Sequence, residues 1–257
     1  MRIATFNVNG ITARLPTLLN WLASASPDVV CLQELKVPQE RFPAVVLRDA
    51  GYGAVWHGQT QWNGVAIIAR GIEPRETRGS LPGDPEDTHS RYIEAEVHRM
   101  LIGCLYLPNG NPAPGIKFDY KLLWLERLLR HAQDLLEQAL PVVLAGDYNI
   151  IPSDLDVYAP ARWRDDALFR PEVRKAYARL LAQGWLDAIR ETHPHDPMYT
   201  FWKYLRNAYG RDAGLRIDHL LLSPRLRTRM TAAGVDRAVR GLPRPSDHAP
   251  AWVELKD

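Results

Sequence analysis

Cysteine is scarce. The chain has two, Cys31 and Cys104, in 257 residues. That excludes a disulfide framework and a thiolate-rich zinc site. Each lies inside an apolar run, Val29 to Leu32 and Leu101 to Leu107, so both read as buried free thiols of a protein in a reducing cytoplasm. Charge of one sign is also lacking: the net charge is +2 and the pI about 8.5, which allows an anionic partner without requiring one. No apolar run approaches the ~20 residues of a membrane span. No basic-then-apolar leader precedes the strand-like run that starts at Arg2, so neither a membrane association nor a signal peptide is expected. There is no linker, internal repeat or low-complexity segment, and a single domain over 1–257 is expected. A Gly-x-Ser-x-Gly elbow, a Walker loop and a dinucleotide fingerprint are absent, which leaves no motif for serine-hydrolase, P-loop or dinucleotide chemistry.

What is present is ordinary globular material, 46% hydrophobic and 24% charged, enough for a large core. Strand-like runs cover Arg2 to Val8, Val29 to Leu32, Tyr52 to Trp56, Gly64 to Ala69, Tyr92 to Val97, Leu101 to Leu107, Val142 to Leu144, Arg216 to Leu222, Ala233 to Val239 and Pro250 to Leu255. Helical spacing appears at Leu15, Leu18, Leu19 and Leu22, with Pro16 in the first turn, and from Pro38 to Ala50. Further helices are expected within Pro114 to Leu140, and from Pro171 to Gln183, the latter stopped by Gly184. Several strands follow one another with no helix between. That disfavours a simple doubly wound parallel sheet and suggests an antiparallel or mixed pair of sheets with helices outside.

Polar groups recur at the ends of these runs: Asn7, Asn9, Glu34, Tyr106, Asp147, Asn149, Asp218, Asp247 and His248. The centre is Gly146-Asp147-Tyr148-Asn149, where a carboxylate and a carboxamide two residues apart follow a run expected to stop at Gly146. Taken alone the pair fits a strand-to-loop turn at least as well as a site, and Asp247-His248 fits a loop turn better. Together the residues describe a mouth rich in carboxylates and amides, with one imidazole and one phenol. Hard oxygen donors without thiolates suit Mg²⁺ or Mn²⁺. An Asp can deprotonate water and a His can stabilise a phosphoryl oxygen. The set favours metal-assisted hydrolysis of a phosphodiester or phosphomonoester.

Seven short motifs carry a resemblance. Thr5-Phe6-Asn7-Val8-Asn9-Gly10, Leu32-Gln33-Glu34-Leu35-Lys36, Gly146-Asp147-Tyr148-Asn149 and Ser246-Asp247-His248-Ala249-Pro250, in that order, resemble the endonuclease/exonuclease/phosphatase superfamily. Leu105-Tyr106-Leu107-Pro108-Asn109-Gly110, Thr200-Phe201-Trp202-Lys203-Tyr204 and Leu215-Arg216-Ile217-Asp218 narrow the likeness to exonuclease III, the bacterial abasic-site endonuclease and 3′-exonuclease family. The resemblance implies an α/β (α+β) fold, a four-layer α/β/β/α sandwich of two packed mixed sheets flanked by helices. It implies a Mg²⁺-dependent DNA repair hydrolase, with Mn²⁺ as the alternative ion, that cuts double-stranded DNA 5′ to abasic sites and works on 3′ ends.

By the same resemblance Glu34 is the principal metal ligand, with Asn7 and Asp247 nearby, and Asp147, Asn149 and His248 are ligands in some states. Asp147 positions or activates water, Asn149 helps bind the phosphate, His248 contacts it, Asp218 polarises His248, and Tyr106 places a hydroxyl against it. Phe201 and Trp202 line the pocket for a sugar without a base; Trp202 as plain core is the rival reading. Asn9 stands where part of the family has Asp, and is placed with Arg91 and Lys117 among the DNA-binding candidates. Lys121, Arg206, Arg211, Arg216 and the arginines from Arg225 to Arg244 are further cations, most of them read as solvated. A lipid or inositol phosphatase and a non-catalytic DNA-binding module are the competing readings; the Leu-Tyr-Leu-Pro-Asn-Gly stretch and Phe201-Trp202 oppose the first, the full set of acids and His248 the second. A monomer is expected, because one groove suffices.

Overall fold

Strand material rich in Val, Ile and Leu alternates with two leucine-striped helices, and the chain sorts it into layers. The structure, a computed structural model, describes residues 1–256. In chain order the strands are β1 (Arg2–Asn7), β2 (Val29–Gln33), β3 (Tyr52–His57), β4 (Val65–Arg70), β5 (Arg75–Arg78), β6 (Tyr92–Val97), β7 (Met100–Tyr106), β8 (Val142–Asp147), β9 (Leu186–Asp187), β10 (Asp218–Leu222), β11 (Met230–Val235) and β12 (Ala251–Leu255). The helices are α1 (Ile11–Ala25), α2 (Ala44–Asp49), α3 (Ile116–Leu136), α4 (Pro171–Ala182) and α5 (Ala188–Thr192). One sheet runs β11-β12-β1-β2-β4-β3, the other β5-β6-β7-β8-β10-β9. Only β1–β2 and β7–β8 are parallel, so both sheets are mixed.

Side-chain alternation assigns each strand two jobs. In β1, Ile3 joins Val29, Ile67, Ile102, Val143 and Val253 in the core between the sheets. Its neighbours Ala4 and Phe6 turn outward to Leu18, Trp21 and Leu22 of α1. On the other flank Leu105 and Leu144 meet Trp124, Leu125 and Leu128 of α3 and Tyr177 of α4. These three cores make the expected four layers, and both cysteines are free and buried between the sheets.

Several boundaries differ from expectation, each for a local reason. The segment from Pro38 to Ala50 is a 3₁₀ turn, Gln39–Arg41, and then α2. Pro43 divides them: it holds Phe42 extended, at φ −64° and ψ 133°. Pro16 is in the second turn of α1, because the helix already starts at Ile11. The charged edge strand β5 is exposed at all four positions and carries no apolar signal. Gly146 does not stop β8. It is inside the strand, where a Cβ would stand 1.9 Å from the Leu105 carbonyl oxygen of β7. The strand therefore delivers Asp147 as its last residue. Gly184, at φ +112°, does follow α4 as a left-handed terminator.

Behind β10 lies a buried ion network. Arg216, two residues before the strand, donates from Nε to Asp156 (2.6 Å) and from Nη1 to Asp187 (2.7 and 3.0 Å). Arg190 of α5 reaches Asp156 at 2.6 Å and the Tyr177 hydroxyl donates to Asp187 at 2.9 Å. Arg216 thus has no access to a ligand, contrary to its reading as a solvated cation. Burial alone would raise both carboxyls, but Arg216 outweighs it and holds them below the ordinary carboxylate range. His219, fully buried, is pulled down to about 4 by burial and by Arg216, and remains neutral.

Arg216→Met leaves two buried carboxylates without their main partner and should cost about 3–5 kcal/mol in urea unfolding; a loss under about 1 kcal/mol contradicts this account. The depressed carboxyls contribute stability above the unfolded value of about 4 and lose it as pH falls toward the folded values. The wild-type stability curve should therefore drop more steeply below about pH 4 than that of the variant.

Candidate active site

Three strand ends lie side by side in the second sheet. Tyr106 ends β7, Asp147 ends β8 and Asp218 begins β10, and the register pairs Tyr106 with Asp147 and Asp147 with Asp218. Residues opposite one another share a face, so a phenol and two carboxylates form a row. The first sheet faces it with Asn7, the last residue of β1, and with Glu34, just past β2. Glu34 and Asn149 both take left-handed backbone angles, φ 53° and 48°, uncommon for residues with a Cβ.

Asn7 joins the two sheets. Its Nδ2 donates to Glu34 Oε1 at 2.8 Å and to Asp147 Oδ2 at 2.9 Å. Its Oδ1 accepts the Asn9 backbone N–H at 3.0 Å, which identifies the oxygen end of the amide. Asn7 thus shows the carboxylates its nitrogen, and its carbonyl faces away from them. Lys36 Nζ contacts Glu34 Oε2 at 2.7 Å and donates to Asn9 Oδ1 at 2.6 Å. Asn9 donates to Asp247 Oδ1 at 2.9 Å. His248 Nδ1 donates to Asp218 Oδ2 at 2.8 Å, and Nε2 points toward Asp147 Oδ2, 3.8 Å away. Asn149 accepts from Asn109 at 3.1 Å and donates to the Leu107 carbonyl at 2.9 Å.

The electrostatics follow from burial. Burial lifts the Asp147 carboxyl to about 7; the His248 imidazolium opposes the shift while Asp218 and Glu34 add to it. Burial also works against charge at His248, but the Asp218 carboxylate and then Asp147 outweigh it and lift the imidazole to about 10. At Glu34 burial is overcome by the Lys36 ammonium and the Asn7 amide, and the carboxyl stays below its ordinary value. Burial, with Glu34 and Asp147 behind it, keeps the Tyr106 phenol well above its usual range and so protonated. Four carboxylates, Glu34, Asp147, Asp218 and Asp247, have only Lys36 and His248 in ionic contact among the described residues.

That surplus of negative charge suits a cation. One ligand atom each from Glu34, Asp147 and His248 lies within 4.8 Å of the others. The two carboxylates, with no thiolate beside them, fit a hard divalent ion, while the His248 imidazolium, with both ring nitrogens protonated, has a proton rather than a lone pair to offer.

The cavity in front of this set measures about 410 Å³. Its polar wall holds Glu34, Tyr106, Asp147, Asn149, Asp247 and His248; its apolar wall holds Trp163, Leu168, Phe201, Leu215 and Ile217. Phe201 packs edge-on against His248, centroids 5.0 Å apart. Trp202 is different. It is 1% exposed, its ring packs with Ala208, Ala249 and Tyr209, and its indole donates to Asp212. Neighbours in an extended segment point to opposite sides, so Phe201 takes the cavity and Trp202 the core.

Asn9 lines the cavity. Arg91 stacks on the Tyr106 ring at 4.7 Å and, with Lys117 and the exposed Trp62, lines an adjoining groove of about 630 Å³. Lys121, a candidate surface cation, is buried. It donates to the Asn109 and Asn149 carbonyls at 3.0 and 2.6 Å and so binds the two site loops together. Lys36, Asn109 and Leu215 were not singled out beforehand, although each belongs to one of the short motifs. Trp163 belongs to none, and no sequence signal marks it.

A profile of the endonuclease/exonuclease/phosphatase family matches residues 4–248. Exodeoxyribonuclease III of Haemophilus influenzae is 34% identical over the whole of both chains. Among solved structures, the 3′-5′ exonuclease NExo of Neisseria meningitidis superposes with a TM-score of 0.97 at 38% identity, covering all of both chains. An AP endonuclease of Archaeoglobus fulgidus does so at 0.96 and 34%, again covering all of both chains.

The His248–Asp218 pair can be read directly by imidazole NMR on the metal-free protein. His248 should remain protonated at pH 8 and, in Asp218→Asn, titrate about one unit lower or more. Because the folded value is raised, the imidazolium contributes stability that is complete below about pH 6.5 and lost as pH rises toward about 10. An unchanged titration in the variant refutes the pairing.

Proposed function

The chain belongs to the endonuclease/exonuclease/phosphatase family, and we propose that within it the protein is a divalent-cation-dependent DNA repair phosphodiesterase. Its substrate is double-stranded DNA, cut 5′ to abasic sites and trimmed or cleaned at 3′ ends. The observation that carries this reading is the meeting of Glu34, Asp147 and His248 beside an apolar recess built by Phe201, Leu215 and Ile217. Hydrolytic groups stand next to a space that suits a sugar without its base. The names of the relatives, an exodeoxyribonuclease III, a 3′-5′ exonuclease and an AP endonuclease, agree with it.

In this reading Asp147 takes a proton from water, and the water oxygen attacks phosphorus. The bond from phosphorus to the 3′ oxygen breaks, the leaving oxygen takes a proton from solvent water, and Asp147 returns its own to solvent, leaving a 3′ hydroxyl and a 5′ phosphate. His248, held by Asp218, donates from Nε2 to a phosphoryl oxygen, and the protonated Tyr106 hydroxyl donates to another. Asn149, fixed by Asn109 and Leu107, offers its remaining amide proton. Glu34 would be the principal seat of a cation, with Asp147 beside it, while His248 keeps its Nε2–H for the phosphate. Mg²⁺ is the expected ion and Mn²⁺ its alternative; when bound, it polarises the phosphoryl group and offsets its charge. The nitrogen end of Asn7 suits orienting Glu34 and Asp147 better than ligating the ion.

Arg91, Lys117 and Asn9 are the candidate backbone contacts, with Phe201 against the sugar. We read the chain as one domain, because the site is assembled from both sheets, and as a monomer, because one groove suffices for the reaction. No helix of the described residues is long and apolar enough to cross a membrane. The free, buried thiols agree with a reducing cytoplasm.

The test separates chemistry from binding. Glu34→Gln and Asp147→Asn should each lower cleavage of an abasic duplex by about 100-fold or more. DNA affinity, read by fluorescence anisotropy in EDTA, should change by less than about fivefold, since phosphate contacts lie elsewhere. Cleavage within about threefold of wild type in either variant overturns the assignment.

A further inference from the structure

The recess beside His248 continues past the space for a sugar. Trp163, Asp166, Phe201, Lys203 and Leu215 border both the catalytic cavity and a second cavity of about 380 Å³. The two therefore adjoin across Trp163 and Phe201. Around the outer one stand Arg162, Arg206 and Arg211, with Tyr158 and Leu205. None of Arg162, Lys203, Arg206 or Arg211 forms an ion pair among the described residues. The acid at the threshold, Asp166, is already engaged by the Asn111 amide and the Leu168 backbone N–H.

Trp163 stands at that threshold. It follows the 3₁₀ turn Pro160–Arg162 and packs against the cluster that contains Leu168, Leu215 and Ile217. It is only partly buried, and Lys203 Nζ lies 4.6 Å from its ring centroid. Lys203 is exposed and has no carboxylate partner, so a ligand that takes the ring displaces one solvated side chain. An accessible indole ringed by unpaired cations is the combination that binds single-stranded nucleic acid: stacking for the base, charge for the backbone.

We propose that Trp163 and the cleft beyond it form a nucleobase subsite, which holds the base of a 3′-terminal nucleotide while its sugar occupies the recess at Phe201. This rests on the phosphodiesterase reading above. Removal of a 3′ nucleotide and incision at an abasic site place the same sugar position beside the phosphate, and they differ in whether a base must be housed. The inner recess serves both reactions; the Trp163 cleft serves only the substrate that still carries its base. The arginines and Lys203 take the neighbouring phosphates.

The experiment compares two duplexes with identical recessed 3′ ends, one ending in an ordinary nucleotide and one in a tetrahydrofuran residue without a base. Trp163→Leu keeps an apolar side chain against Leu168 and removes the aromatic face; Trp163→Phe restores a smaller one. In Trp163→Leu, kcat/KM for the base-bearing end should fall about tenfold or more relative to the base-free end, chiefly through KM. Trp163→Phe should recover most of that ratio. An equal loss on both ends, or none on either, overturns the subsite and leaves Trp163 as packing. A wild-type protein that cuts an internal tetrahydrofuran site but removes neither end overturns the subsite alone; one that does neither overturns the hydrolase reading, and the subsite with it. Thermal melting of each variant shows whether the turn that bears residue 163 still folds; if Trp163→Leu does not fold, the ratio measured with Trp163→Phe must still fall between wild type and one-tenth of it, and an unchanged ratio overturns the proposal.

Discussion

A single carboxamide holds the site together. The two protons of the Asn7 amide go one to Glu34 and one to Asp147, which come from different sheets. Without that clamp two carboxylates would face each other across the sandwich. The clamp works because Asn7 ends β1, a central strand of its sheet, and Asp147 ends β8, a central strand of the other. Gly146 lets β8 approach β7 closely enough to bring Asp147 level with Tyr106. Every other part of the site is hung from that juncture.

The electrostatic design is a local surplus of negative charge resting on a compensated one. Behind β10, Arg216 and Arg190 meet Asp156 and Asp187, and the charges balance. In front of it, Asp218 spends its carboxylate on His248, and Asp147 is left with a carboxyl lifted by burial. The balanced network anchors the strand start; the unbalanced cluster creates the demand for a cation and a phosphate. Left-handed Glu34 and Asn149 store further strain at the same place. Lys121 supports the Asn109 and Asn149 loops from below, where a surface lysine could not reach. Stability and reactivity are thus assigned to opposite sides of one strand.

Much of this was legible in the sequence. Apolar runs located most strands, and the lack of helices between several of them pointed to two mixed sheets. The polar residues at the run ends are those that converge. What the sequence could not disclose were contacts made across the sheets. That Asn7 turns its nitrogen inward depends on the Asn9 amide, and that Arg216 and Lys121 are buried depends on partners far away in the chain. Trp202 and Phe201 are adjacent and similar in composition, and only the extended backbone sends one to the core and the other to the cavity. β5 escaped because an edge strand of charged residues has no apolar period. Trp163 lies outside every motif, in a turn, and gains its place only from the fold.

The most direct measurement uses an end-labelled duplex with one central tetrahydrofuran residue, wild-type protein, and Mg²⁺ or EDTA, with products sized on a denaturing gel. The account predicts a Mg²⁺-dependent cut 5′ to the lesion, with or without a ladder from the 3′ end, and no cut in EDTA. No product with any divalent ion, or equal cleavage in EDTA, would contradict it.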